Sequence, residues 1–305
     1  LVKADHRFRM ERLLLKENWG GAQRAAALAG KDYELLVKAR MAVFQGKKKA
    51  EKAFAAVPSS LRGDPSYLFS KALLQRRSNN LVEAAQIIMQ APRDPELRVD
   101  GDEWWAEQRL ITRALLDKGN AKTAYEVASH HAAESPVQQI EAEFHAGWIA
   151  LRFLHDPAAA REHFAQAARI AATPISIARA AYWQGRAAEA AGLADEAKQH
   201  YERAAAHPIA YYGQLARDKL GAAPVDEHGV RQLADAERDA DDGREHERHA
   251  VQPVLGHELA VRVGIAVTDE DDAHALPLGA RKRAHGAQEL LAHRADRRDE
   301  QEQLA

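Results

Sequence analysis

The chain has 305 residues, 46% hydrophobic and 29% charged, with no cysteine and a formal net charge of −2. Its length allows roughly two domains at about 150 residues each, and the apolar share suffices for a sizeable core. The absence of cysteine excludes disulfide scaffolds, Cys-type zinc sites, iron–sulfur clusters and thiol nucleophiles, and no run approaches the ~18 apolar residues of a transmembrane helix.

Leu1 opens the chain, and the residues after it lack the apolar core of a signal peptide. The expectation is a processed or shortened form. The charge is unevenly spread. Residues 222–305 carry 11 Lys+Arg against 19 Asp+Glu, a net of −8, which leaves +6 for residues 1–221. Every Trp, Tyr and Phe lies before position 222. Aromatic side chains normally dominate a core, so the composition breaks after Gly221.

Residues 1–221 are Ala-rich, with apolar residues at helical spacing. Pro58, Pro92, Pro136, Pro174 and Pro208 each follow an Ala-rich segment, at spacings of 34, 44, 38 and 34 residues. Such a period predicts helix–turn–helix repeats of the tetratricopeptide (TPR) kind. In chain order, the first pair turns at Gln45-Gly46 and carries Lys38 and Phe54. The second turns at Ser78-Asn79-Asn80, with Ala72 before and Ala84 and Ile88 after. The third turns at Lys118-Gly119-Asn120, between Thr112 and Ala124. The fourth turns at His155-Asp156-Pro157, with Asp156 as N-cap and Pro157 at the first helical position. It places Gly147 before the turn and Phe164 after it. The fifth turns at Gly192-Leu193-Ala194-Asp195, with Gly185 before and Tyr201 after. The small residue allows close helix approach, and the aromatic fills the space beside it. The predicted fold of 1–221 is therefore all-α, a superhelical solenoid of about five TPR-like helix pairs.

Three strings are more specific. They are Ala142-Glu-Phe-His-Ala-Gly-Trp-Ile-Ala-Leu-Arg-Phe-Leu154, Thr173-Pro-Ile-Ser-Ile-Ala-Arg-Ala-Ala-Tyr-Trp-Gln-Gly-Arg-Ala187 and Ile209-Ala-Tyr-Tyr-Gly-Gln-Leu-Ala216. With Phe8–Leu15 and Asp100-Gly-Asp-Glu-Trp-Trp105, they resemble the helical superhelix of the soluble lytic murein transglycosylase family. The resemblance spans about residues 4–221. It implies a periplasmic protein of peptidoglycan turnover. The family cleaves the β-1,4 bond between N-acetylmuramic acid and N-acetylglucosamine without water, leaving a 1,6-anhydro end. Its helical part forms a ring or horseshoe, on which a lysozyme-like domain carries one catalytic Glu.

That Glu acts as acid and then base, with the substrate's own 6-hydroxyl in place of water. The family sets it in a Glu-Ser-x-Phe-like motif followed by a Gly-Leu-Met-Gln-like string, and this chain has neither. Its one Glu-Ser pair, Glu134-Ser135, precedes Pro136 and reads as a helix stop. No catalytic residue is assigned, and the chain is expected to be inactive by itself. Cofactors and metals are not expected. His246-Glu-Arg-His249 has its two histidines three apart, where a zinc-protease helix needs four.

Residues 222–305 are expected to be disordered or the product of a frameshift near codon 221, with one possible strand at Val261–Val267. Candidate binding residues are the aromatic pairs and one cation: Trp104, Trp105, Trp183, Tyr211, Tyr212 and Arg186. They could stack on sugar rings, although at helical spacing core packing is the commoner fate of such pairs. His130-His131 is expected to end a helix, and Lys47-Lys48-Lys49 to be a solvated helix start. Partners implied by the resemblance are peptidoglycan glycan strands and other cell-wall proteins, with no nucleic acid. The alternative from another class is a TPR-like protein-interaction scaffold, for which no regular Asn/Lys/Arg clamp is visible.

Overall fold

The computed structural model describes residues 1–92 and 94–223. The expectations for the tail, its possible strand and its His-Glu-Arg-His stretch lie outside the described residues. Those residues form fourteen α-helices and no strand. None of the helices is long and apolar enough to cross a membrane. The chain divides into two units, Leu1–Ala171 with Ala190–Gly192, and Ala172–Glu189 with the residues from Leu193 onward.

The first unit holds α1 (Lys3–Leu15), α2 (Trp19–Ala29), α3 (Lys31–Val43), α4 (Lys47–Ala55), α5 (Pro65–Arg77), α6 (Leu81–Ile88), the single-turn α7 (Pro95–Arg98), α8 (Gly101–Asp117), α9 (Ala121–Ser129), α10 (Pro136–Arg152) and α11 (Pro157–Ile170). Each longer helix packs on its partner across a short turn, and each pair packs on the next. All five predicted pairs are present, as α3–α4, α5–α6, α8–α9, α10–α11 and, in the second unit, α12 (Pro174–Ala190) with α13 (Ala194–Ala205). A further pair, α1–α2, precedes them, and α14 (Tyr211–Lys219) packs on α13.

All the turns within the pairs except that of α3–α4 share one local design. Glu17, Asn79, Gly119, His155 and Gly192 all have φ between 54° and 76°, just after the first helix of a pair. The next amide then reaches back over the helix end. Asn18 N–H donates to Leu13 O at 2.8 Å, Asn80 to Gln75 O at 2.9 Å, Asn120 to Leu115 O at 2.9 Å and Leu193 to Ala188 O at 2.9 Å. This is the Schellman closure, which satisfies an orphan carbonyl and reverses the chain. The same amide residue then starts the second helix.

Several prolines open helices, whereas Pro58, Pro92 and Pro208 lie in the segments after α4, α6 and α13. Asp64, Asp94, Ser135 and Asp156 each cap a helix whose first turn contains Pro65, Pro95, Pro136 or Pro157. Glu134-Ser135 therefore does not end a helix. Ser135 accepts from Gln138 N–H at 3.4 Å to begin α10, and Glu134 pairs with Arg98 at 3.0 Å.

The core of the first unit passes from pair to pair. Leu36 and Val37 of α3 pack with α1 and α2, while Ala39, Ala42 and Val43 of the same helix pack with α4 and α5. Leu73 and Leu74 of α5 look back, and Phe69 and Ala72 look forward to α6, α8 and α9. A helix covered on two sides needs two apolar stripes, which explains the Ala-rich composition. Ion pairs tie the first helices of different pairs together. Arg7 meets Asp64 at 3.2 Å, Arg76 grips Glu107 through two bonds of 2.6 and 3.0 Å, and Arg109 meets Glu141 at 2.6 Å.

Two glycines show how closely the helices of a pair approach. A Cβ on Gly147 would lie 2.7 Å from the Phe164 ring, and one on Gly185 would lie 2.6 Å from the Tyr201 ring. Aliphatic contacts settle near 3.5–4.0 Å, so each aromatic occupies the space a side chain would take.

Candidate functional site

The candidate residues fall into separate places. Trp104 and Trp105 belong to the core of the first unit and are both fully buried. The reason is the position of α8, which is covered on two sides. Trp104 meets the Phe69 ring of α5 edge-on at 5.2 Å and donates from Nε1 to Arg98 O at 3.2 Å. Trp105 meets the His145 ring of α10 at 5.6 Å, with Nε1 3.4 Å from Glu141 Oε2. No face of either indole is open to a sugar ring.

The other four candidates come together in the second unit. Tyr182 and Trp183 are 1% exposed, while Tyr211 and Tyr212 are half-buried. The Tyr212 ring lies 5.5 Å from Tyr182, 6.4 Å from Trp183 and 5.2 Å from Tyr211. Arg186 sits 6.0 Å from the Tyr182 ring and 5.8 Å from the Trp183 ring. Its Nη1 donates to the Tyr182 hydroxyl at 3.2 Å, and its Nε lies 3.6 Å from Glu189. Glu189 also accepts from Tyr201 Oη at 2.8 Å and from Lys219 Nζ at 3.2 Å. Burial raises the Glu189 carboxyl, but the Tyr201 and Lys219 bonds outweigh it and hold the group below its ordinary range. Burial and the Glu189 carboxylate push the Tyr201 phenol up, so it stays a donor. The α12–α13–α14 packing is therefore an aromatic cluster fixed by one anion. Tyr211 and Tyr212 are half-buried members of it.

α14 owes its placement to Gly213. A Cβ there would collide with the backbone carbonyl of His207, so the Tyr211-Tyr212-Gly213 string lets α14 begin hard against the turn after α13.

A second polar cluster, not foreseen from the sequence, lies in the first unit. His163 Nδ1 is 2.7 Å from Glu143 Oε2, His131 Nε2 is 3.3 Å from Oε1, and the Tyr125 hydroxyl is 3.1 Å from His163 Nε2. Burial raises Glu143, but hydrogen bonds and charge from both imidazoles win and hold the carboxyl at about 2. His130 behaves as expected of a helix end, with Nδ1 2.8 Å from Glu126 O. Its neighbour His131 instead joins the Glu143 cluster. Lys47–Lys49 are exposed at the start of α4. The repeat spacing was the missed signal. Tyr125 and His163 are 38 residues apart, so polar residues one repeat apart face each other.

Glu11 is the opposite case. It is 2% exposed, and burial, reinforced by Asp64, pushes its carboxyl up to about 8 against the opposing charges of Arg7 and Arg40. A glycosidase acid needs a retained proton and access to the scissile oxygen. Glu11 has the proton without the access, and Glu143 has spent both oxygens on imidazoles. Among the described residues, no group of three or more His, Cys, Asp or Glu is arranged to hold a metal ion.

No protein-family model, curated protein or solved structure matches the chain.

Proposed function

We propose that residues 1–221 form a TPR-like superhelical array of the kind that the soluble lytic transglycosylases carry, and that this array holds peptidoglycan glycan strands. In this reading the array positions a cleaving domain in the periplasm and breaks no bond itself. The observation that carries the proposal is the Gly–aromatic keying. At Gly147 and Gly185 the Phe164 and Tyr201 rings fill the space of a side chain, and both glycines lie inside the strings that resemble that family. The half-buried Tyr211 and Tyr212 belong to an aromatic cluster that also contains Tyr182 and Trp183, with Arg186 against those two rings, a composition suited to a pyranose.

The test is co-sedimentation of the purified chain with peptidoglycan sacculi. Retention that soluble glycan strands compete away supports the proposal. A chain that stays in the supernatant refutes it. If a cell-wall protein is captured instead, the TPR-like interaction scaffold is the better reading.

A further inference from the structure

Four successive turns of the first unit bring a separate set of residues to one edge. Trp19 opens α2, Phe44 ends α3, Arg77 ends α5, and Lys118 follows α8. The Trp19 and Phe44 rings are 5.2 Å apart, and the Arg77 guanidinium lies 4.9 Å from the Phe44 ring centre. Phe44 is 37% exposed, Trp19 is half-buried and Arg77 is exposed. Two residues beyond Arg77, a pocket of ≈ 270 Å³ opens between the third and fourth turns. Asn79, Lys118 and Asn120 provide its polar groups, and Leu81, Val82 and Leu115 provide its apolar wall.

We infer that this edge is a binding track for an anionic oligosaccharide. The Trp19–Phe44–Arg77 corner packs against the edge of a sugar ring, and the neighbouring pocket takes a polar substituent. The inference rests on the glycan reading above and gives it a location.

Three observations select this ligand. The Trp19 and Phe44 rings are inclined by 57° and make a partly open aromatic corner, bordered by the Arg77 guanidinium. The pocket pairs neutral carboxamides with an apolar wall, which suits an acetamido group: its N–H and C=O find Asn79 and Asn120, and its methyl finds Leu81 and Val82. Arg77 and Lys118 form no salt bridge among the described residues, and Lys48 and Lys49 are exposed at the intervening turn. Against these cations the same turns carry Glu17 and Asp117, so the edge favours a carboxylate-bearing ligand. A peptide strand fits less well. The Asn80 and Asn120 amides are already used in closing their turns, so the edge offers no row of free backbone groups.

The experiment titrates the full chain with two probes, neutral N-acetylglucosamine oligomers and glycan strands carrying muramic carboxylates. Trp19 emission, isolated by difference from a Trp19→Phe variant, reports occupancy. Thermal melts confirm that Phe44→Ala, Arg77→Ala and Lys118→Ala fold. The expected result is binding of both probes, the anionic one more tightly and with stronger salt dependence. Arg77→Ala and Phe44→Ala should each weaken it about tenfold, which is ~1.4 kcal/mol. Sacculus retention with no response of Trp19 and no effect of the three variants overturns the track and leaves the proposed function standing. Absence of sacculus retention together with a Trp19 response to soluble glycan does the reverse. A response to acidic peptides and to neither glycan overturns the choice of ligand.

Discussion

Gly185→Ala should destabilise the protein although alanine is the better helix former. The new Cβ would lie 2.6 Å from Tyr201 Cε1 and 2.7 Å from Cδ1. An ordinary carbon contact is near 3.7 Å, so the ring must retreat by about 1 Å. It cannot do so freely, because its hydroxyl donates to Glu189 at 2.8 Å and its face meets Tyr182 at 5.7 Å. Overpacking of this kind costs about 1–3 kcal/mol, against a gain of about 1 kcal/mol from removing a mid-helix glycine. The net expectation is a loss of up to about 2 kcal/mol. Urea unfolding followed by circular dichroism measures it, and Tyr201→Leu supplies the second arm of a double-mutant cycle. With the ring gone, Gly185→Ala should become neutral or stabilising, giving a coupling of about 1–3 kcal/mol. Equal or greater stability of Gly185→Ala in the wild-type background, with no coupling to Tyr201, would refute the keying argument. Gly147→Ala with Phe164→Leu repeats the test in the other unit.

Further outcomes follow from the turns and the buried carboxyls. His155 is exposed with φ near 54°, so His155→Gly should raise stability by about 1 kcal/mol, read from the same denaturation curves. Glu11 has a raised carboxyl, so the native state holds a proton that the unfolded chain releases above about pH 4.5. Stability should therefore fall as pH rises from 4.5 to about 8, and Glu11→Gln should remove that slope. Glu143 carries the opposite sign. Its contribution is present above pH 4.5 and is lost as pH falls toward about 2. Glu143→Gln should lower stability at neutral pH and flatten the acid limb, and unfolding curves between pH 2 and 7 would check this.

Periodicity made much of the fold readable. Five turns were placed from prolines and small residues, and the Gly147–Phe164 and Gly185–Tyr201 pairs follow from one spacing rule. The α1–α2 pair was missed because no proline follows it. Gly30, at φ 143°, both ends α2 and starts α3, so the boundary leaves a glycine rather than a proline. The five repeat prolines do follow helices, and two of them, Pro136 and Pro174, also open the next one; at Pro136 the preceding Ser is cap chemistry rather than a stop.

The candidate site was legible in part. Trp183, Arg186, Tyr211 and Tyr212 do cluster, because α12 and α14 both lie against α13. Trp104 and Trp105 could not be judged from their own helix. Adjacent residues point about 100° apart, and whether the second ring is covered depends on whether a helix lies on that side. For α8, neighbours on both sides come from repeats before and after it in the chain. The Tyr125–His163–Glu143–His131 cluster was hidden for a related reason. Its members are unremarkable locally and meet only through packing between repeats.

The most direct test of the whole account incubates the purified chain with sacculi and reads two quantities from one tube. One is the bound fraction, and the other is soluble muropeptide measured by mass spectrometry. A glycan-holding array without cleavage predicts saturable binding and no release of 1,6-anhydro products. Release of those products, or no binding at any protein concentration, would contradict it.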